Sequence, residues 1–423
     1  MTSRRKYLHL CSIVGIGAFA GCIGNPEAQA TKVVPKNGNS GGRFGRSVAV
    51  SSDATTAIIG APGDEDPNGE VGGLAYVYDG NGGSWSQQAT LTPDDGVSKD
   101  RFGQSVAVSS DGTTAIIGAP GDGDPNGEAG GSAYVFEASD KSWSQQAKLA
   151  PDDVDSTDRF GYALAMSGNG NTIIIGARND NTANGRQAGS AYVFKGIGGS
   201  WSQQVKLVPD DGDRFEWFGR SVAVSSDGTT AIIGALLGNG QSYEGSAYVF
   251  KASNGSWSQA AKFEGGRIQF FGGSVAVSSD GSTTIIGANI DPIPNGEGAG
   301  SAYVFQATDG SWSEQAKLTP DDGDTYDRFG RSVAMSDDGN IAIIGAPGDE
   351  DPNGEEAGST YVFDSSDGAW SERRKLTAGE GDSKDQFGRS VAVSGDGSTA
   401  IVGAYKDEDP NGEEAGSAYV YSV

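Results

Sequence analysis

Four short acidic loops are the places where this sequence could do chemistry. Asp64-Glu65-Asp66-Pro67-Asn68-Gly69 sets oxygen-bearing side chains at Asp64, Asp66 and Asn68, ahead of a glycine. Carboxylate and amide oxygens at alternate positions suit a hard divalent cation, calcium being the expected ion, and Gly lets the backbone turn sharply. The pattern recurs as Asp122, Asp124, Asn126, as Asp349, Asp351, Asn353 and as Asp407, Asp409, Asn411. No copy has a Glu at the twelfth position, where a helical calcium loop keeps its bidentate ligand, and each has a proline in mid-loop. The same residues equally suit a solvated acidic turn, in which Asp and Asn bond the nearby backbone.

Other chemistries are excluded by what is missing. His9, Cys11 and Cys22 are the only histidine and cysteines, and all three fall in a leader. The chain beyond it cannot assemble a Ser-His or Cys-His nucleophile, a His-ligated zinc site or an internal disulfide. A pair of carboxylates acting on a glycan remains open. With 56 acidic against 30 basic residues the net charge is −26, which repels nucleic acid and anionic membrane surfaces and suits a halophilic protein kept soluble in concentrated salt.

The leader spans residues 1–22. Arg4-Arg5-Lys6 precedes an apolar run from Leu8 to Ala20, too short to cross a bilayer as a helix, and the segment reads as an export signal. The paired arginines resemble a twin-arginine signal. Phe19-Ala20-Gly21-Cys22 resembles a lipoprotein processing box, which would lipidate Cys22 and leave residues 23–30 as a short tether of at most ~27 Å. Ala28-Gln29-Ala30 is the competing cleavage site and would give a soluble secreted protein. Either route puts residues 31–423 outside the cell, touching membrane only through a lipid.

The elements that position the loops come from a repeat. Phe-Gly occurs at Phe44, Phe102, Phe160, Phe218, Phe271, Phe329 and Phe387, each followed sixteen residues later by Gly-Ala, at a step of 58 residues except for 53 between Phe218 and Phe271. Such a period decides the architecture. In the second copy Ser105 to Ser109 alternates small-polar with apolar residues, as a strand does, and Asp111-Gly112 is a hairpin turn. Thr114 to Ala119 is apolar on both faces, and a twelve-residue loop leads to Ser132–Phe136, then a polar hairpin to Trp143–Leu149. Four antiparallel strands per copy, seven times, predict an all-β, seven-bladed β-propeller. The last copy stops at Tyr419-Val420-Tyr421 with one strand short, and Thr31-Lys32-Val33-Val34-Pro35 matches the outer strand Val205-Lys206-Leu207-Val208-Pro209. The N-terminal strand is therefore expected to complete the last blade.

Phe-Gly followed by Gly-Ala-Pro, as at Phe44-Gly45 and Gly60-Ala61-Pro62, resembles the FG-GAP repeat of the integrin alpha-subunit head over Thr31 to Val423. The Pro survives only at Pro62, Pro120 and Pro347. The resemblance implies an extracellular interaction module and identifies no ligand. The integrin calcium loop lies between strands one and two, where this chain has only Ser109-Ser110-Asp111-Gly112, so that site does not carry over.

In a propeller, the acidic loops and the linkers between blades share one face. Its acidic pattern breaks over blades four and five, where Trp217, Leu236, Leu237, Tyr243, Ile290 and Ile293 offer aromatic and apolar groups. Such groups on a charged face are candidate contacts for a protein or glycan partner. Side chains folded inward are the alternative. The expected function is that of a monomeric, lipid-anchored, non-enzymatic binding or adhesion module, with loops that calcium could order. A passive envelope component and a carboxylate-dependent glycan-active enzyme stay as alternatives.

Overall fold

The computed structural model describes residues 30–423 other than 66–68, 124–129, 141, 154, 237–243, 293–296, 351–352, 367 and 409–410, along with the backbone alone at 266–268. The export signal, Cys22 and the tether lie outside the described residues. No helix occurs among them, and seven four-stranded antiparallel sheets form the ring. Blade one runs from Ser47 to Leu91, blade two from Ser105 to Leu149, blade three from Phe160 to Leu207 and blade four from Ser221 to Gln269. Blade five runs from Phe271 to Leu318, blade six from Ser332 to Leu376, and blade seven from Ser390 to Ser422. Thr31–Val33 supplies the missing outer strand of blade seven, with Thr31 opposite Val420, Lys32 opposite Tyr419 and Val33 opposite Ala418. The ring closes as the sequence predicts.

Both halves of the repeated motif act at the junction between blades. Each Phe of Phe-Gly is at most 1% exposed. Its ring meets the edge of a third-strand Tyr at 5.4–5.6 Å between centroids in all seven blades. Burial of such a ring stabilises by about 1.5–3 kcal/mol, and each edge-to-face pair adds about 0.5–1.5 kcal/mol. The Gly after Phe takes a left-handed conformation, φ +85° at Gly103, and turns its carbonyl toward the preceding blade. There the Gly103 oxygen accepts a hydrogen bond from Ser47 Oγ at 3.0 Å and lies 2.0 Å from where a Cβ on Gly60 would stand. The Gly of Gly-Ala is therefore required, since any side chain would wedge the blades apart. The same Ser-to-Gly bond joins blade two to three, four to five, five to six, six to seven and seven to one. In blade three Ala163 replaces the serine.

The axis is finished at one end by a ring of backbone bonds. Ser52 donates to Ser110, Ser110 to Gly168, Gly168 to Ser226, Ser226 to Ser279, Ser279 to Asp337, Asp337 to Gly395, and Gly395 back to Ser52, at 2.9–3.1 Å. The inner strands run from this ring to the opposite face, where the blade linkers and the loops between second and third strands emerge. The short 53-residue step has a plain cause. The outer strand of blade four continues as Ser256–Gln269, with Gln269 paired to Glu244, so a strand replaces the linker into blade five.

Candidate functional site

The acidic loops are tied down by the tyrosines that carry the core. In blade two, Asp122 is buried and its Oδ2 lies 2.9 Å from the Tyr134 hydroxyl and 2.8 Å from Lys148 Nζ. Tyr134 also lies 3.0 Å from Asp95 Oδ1, and Lys148 2.7 Å from Asp95 Oδ2. One hydroxyl proton and one ammonium thus serve two carboxylates, and they join the linker entering the blade to the blade's own loop. Blade three repeats this with Asp180, Asp153, Tyr192 and Lys206, and blade six with Asp349, Asp322, Tyr361 and Lys375. In blade seven the lysine is Lys32 of the N-terminal strand, 2.9 Å from Asp407. Blade one keeps Asp64 and Tyr76 but has Thr90 at the lysine position opposite Tyr76. Burial accordingly pushes the Asp64 carboxyl up, against the pull of its hydrogen bonds from Tyr76 and the backbone.

The described members of the expected calcium loops have partners within the chain. Asp64, Asp122, Asp349 and Asp407 are buried and accept from Tyr hydroxyls, and in three of the four a lysine already neutralises them. Asn353 donates its amide to the Ala378 carbonyl at 2.6 Å and Asn411 to the Pro35 carbonyl at 3.1 Å, so these amides pin the loop to the linker. Asp66, Asn68, Asp124, Asn126, Asp351 and Asp409 lie outside the described residues. Among the described residues no group of three or more His, Cys, Asp or Glu is placed to hold a metal. At Asp122, Asp349 and Asp407 a cation would compete with the chain's own lysine, whereas at Asp64 no lysine stands opposite Tyr76.

A second buried acid, an Asp in four of the linkers, was not singled out in the sequence. Asp100, Asp158, Asp327 and Asp385, each two residues before a motif Phe, are 1–3% exposed. Asp100 Oδ2 accepts the Val97 N–H at 2.7 Å and Asp158 Oδ2 the Asp155 N–H at 2.7 Å. Burial pushes Asp100, Asp158 and Asp385 up to about 6 and Asp327 to about 7, with the neighbouring loop carboxylates adding to the effect.

The expected partner-binding sector is only partly brought together. Trp217 is half-buried in a left-handed conformation, φ +53°, with the Arg178 guanidinium 5.5 Å from its ring. Ile290 is half-buried on the same face. Leu236 is a correction, since at 5% exposed it ends the second strand of blade four and packs inward. Leu237, Tyr243 and Ile293 lie outside the described residues.

The more distinctive feature is basic, and it occupies the centre of the face. The second residue after each motif Phe points toward the axis: Arg46, Gln104, Tyr162, Arg220, Gly273, Arg331 and Arg389. They line a cavity of about 230 Å³. Gln104 and Tyr162 also line a cleft of about 1250 Å³ on the linker face, which Arg43, Arg101, Arg159 and Arg186 border. The residue before each motif Phe is left-handed in every blade, φ 53–60°, and is Arg43, Arg101, Arg159, Trp217, Phe270, Arg328 or Gln386. That conformation costs a non-glycine residue about 1–2 kcal/mol and turns these side chains to the face. The sequence carried the signal at fixed offsets from each Phe. It was missed because the acidic loops dominate the composition.

Seven four-stranded antiparallel sheets arranged about one axis define a β-propeller, and the FG-GAP form of it is a general ligand-binding or adhesion-type module, typically non-enzymatic. The FG-GAP repeat model matches residues 28–78, 85–136, 143–194, 201–250, 257–305, 312–363 and 370–421, and the chain belongs to the FG-GAP repeat family. Each match after the first begins in one blade's outer strand and ends in the third strand of the next. That offset is why the first repeat's outer strand closes blade seven. Comparison with curated proteins gives no match.

Proposed function

We propose that the chain is an extracellular binding module, tethered through a lipid on Cys22, that holds a macromolecular or glycan partner on its linker face. The observation that carries this reading is the concentration of dissimilar side chains at one place in an otherwise repetitive molecule. Six of seven inner strands keep the serine staple and all seven keep the buried Phe, whereas the residues flanking Phe-Gly vary among the blades, and Arg43, Arg101, Gln104, Arg159 and Tyr162 of blades one to three border the 1250 Å³ cleft. Aromatic Trp217 and the arginines around it supply stacking and charge-assisted hydrogen bonds, the means by which polar, shape-rich partners are held. The Tyr–Asp–Lys networks contribute by fixing the loops that frame the cleft. Arrays of glycans and of surface proteins, probed with the parent and with a Trp217→Ala, Arg159→Ala variant, test the reading. Loss of a hit in the variant supports it, and equal binding by both proteins removes this face from the function.

A further inference from the structure

We infer that the axial cavity is an anion-binding site for a multivalent oxyanion group, sulfate or phosphate in chemistry, either free or carried on a glycan. Arg46, Arg220, Arg331 and Arg389 converge there from four blades, and none of them makes an ion pair with a carboxylate among the described residues. By contrast Arg43 and Arg328, farther out on the same face, pair with Glu414 and Glu356. A chain with 56 acidic and 30 basic residues has thus placed four guanidiniums around one small space and kept acids away from it.

The groups facing the ring from neighbouring elements point the same way. Arg178, at the position that is Pro62 in the first copy, brings its guanidinium 3.9 Å from the Tyr162 ring centroid. Its Nε and the Trp217 Nε1 are buried without a hydrogen-bond partner among the described residues. Tyr405, at the same repeat position in blade seven, sits 5.9 Å from Arg46 and 5.7 Å from Arg389. Among the described residues lining the axis the only carboxylate is Asp337, in the ring at the far end, a strand length away, where it accepts from Ser279.

Electrostatics describes the same tension. Burial and then repulsion from Arg389 push Arg331 well below its usual value. Burial and the neighbouring Arg46 lower Arg389 to about 9. Burial alone would raise the Tyr162 phenol, yet Arg220 and Arg178 bring it down to about 7. Guanidiniums stay protonated in proteins, so this depression is an unfavourable energy that a bound anion would relieve. Planar forks converging from several sides match the tetrahedral oxygens of sulfate or phosphate. A space of 230 Å³ admits such a group or one sugar bearing it.

The inference deepens the proposed binding role, since Gln104 and Tyr162 line both the cavity and the cleft, but it is tested separately. Sodium sulfate and sodium phosphate are titrated into the full chain at constant ionic strength, followed by calorimetry and thermal melting, beside a sulfated oligosaccharide and its desulfated counterpart. Saturable binding of a free anion, or of the sulfated sugar alone, supports the site and tells the two sources apart. In either case Arg331→Gln, Arg389→Gln must weaken binding at least about tenfold while melting, without anion, no lower than the parent. Equal midpoint rises in parent and variant, or no saturable binding in any arm, overturn it. Loss of anion binding with the Trp217-dependent array hits intact separates failure here from failure of the face as a whole.

Discussion

Replacing Asp158 by Asn should stabilise the protein, and by an amount that grows with pH. The carboxyl is 1% exposed, its Oδ2 accepts the Asp155 N–H, and its Oδ1 has no hydrogen-bond partner among the described residues. Burial is the main cause that raises it to about 6, helped by Asp180 and Asp155 and opposed by Lys206. A carboxyl near 3.8 in the unfolded chain and near 6 when folded gives the folded state the greater hold on the proton. Its contribution is therefore fully favourable below pH ~4 and is lost as pH rises through ~6. The shift of ~2 units corresponds to about 3 kcal/mol at most, roughly half of it already lost at pH 5 and the rest by pH 7. Asn keeps the acceptor for Asp155 and cannot ionise. Urea unfolding at pH 5 and pH 8, at matched ionic strength, should show the variant's advantage over the parent widening by about 1–1.5 kcal/mol between the two. A variant destabilised equally at both pH values would show that Asp158 works as an ionised hydrogen-bond hub, and the burial reasoning would fail.

Three further outcomes follow from the packing. Thr90→Lys should place an ammonium opposite Tyr76, as Lys148 stands opposite Tyr134, and pair with Asp64; a gain of about 1 kcal/mol at pH 7 that shrinks as pH falls toward 4 is expected in denaturation curves. Gly118→Ala would bring a Cβ to 2.2 Å from the Gly161 carbonyl, whereas Gly310→Ala, φ +81°, meets nothing within 4 Å. The first should cost at least about 3 kcal/mol and the second about 1 kcal/mol, read from melting of the two variants side by side. Removing Thr31–Val33 strips buried Val33 and the Lys32–Asp407 pair from blade seven. The loss should be about 3 kcal/mol, with proteolysis starting in blade seven rather than at the other blades.

The composition of the sequence and its 58-residue period determined the fold by themselves. Copies of one amphipathic unit can bury their faces only against each other, and seven of them with one displaced strand can close only as a latched ring. Phe44, Gly45 and Gly60 were legible because steric needs recur identically in every copy. The acidic loops were legible as residues but not as chemistry. Whether Asp122 meets a cation or Lys148 depends on a cross-strand partner 26 positions away and on an Asp95 delivered by the linker, neither of which a local motif specifies. The arginine ring was the least visible. Arg46, Arg220, Arg331 and Arg389 are separate single residues along the chain, and they become one site only because ring closure carries seven equivalent positions to a common axis.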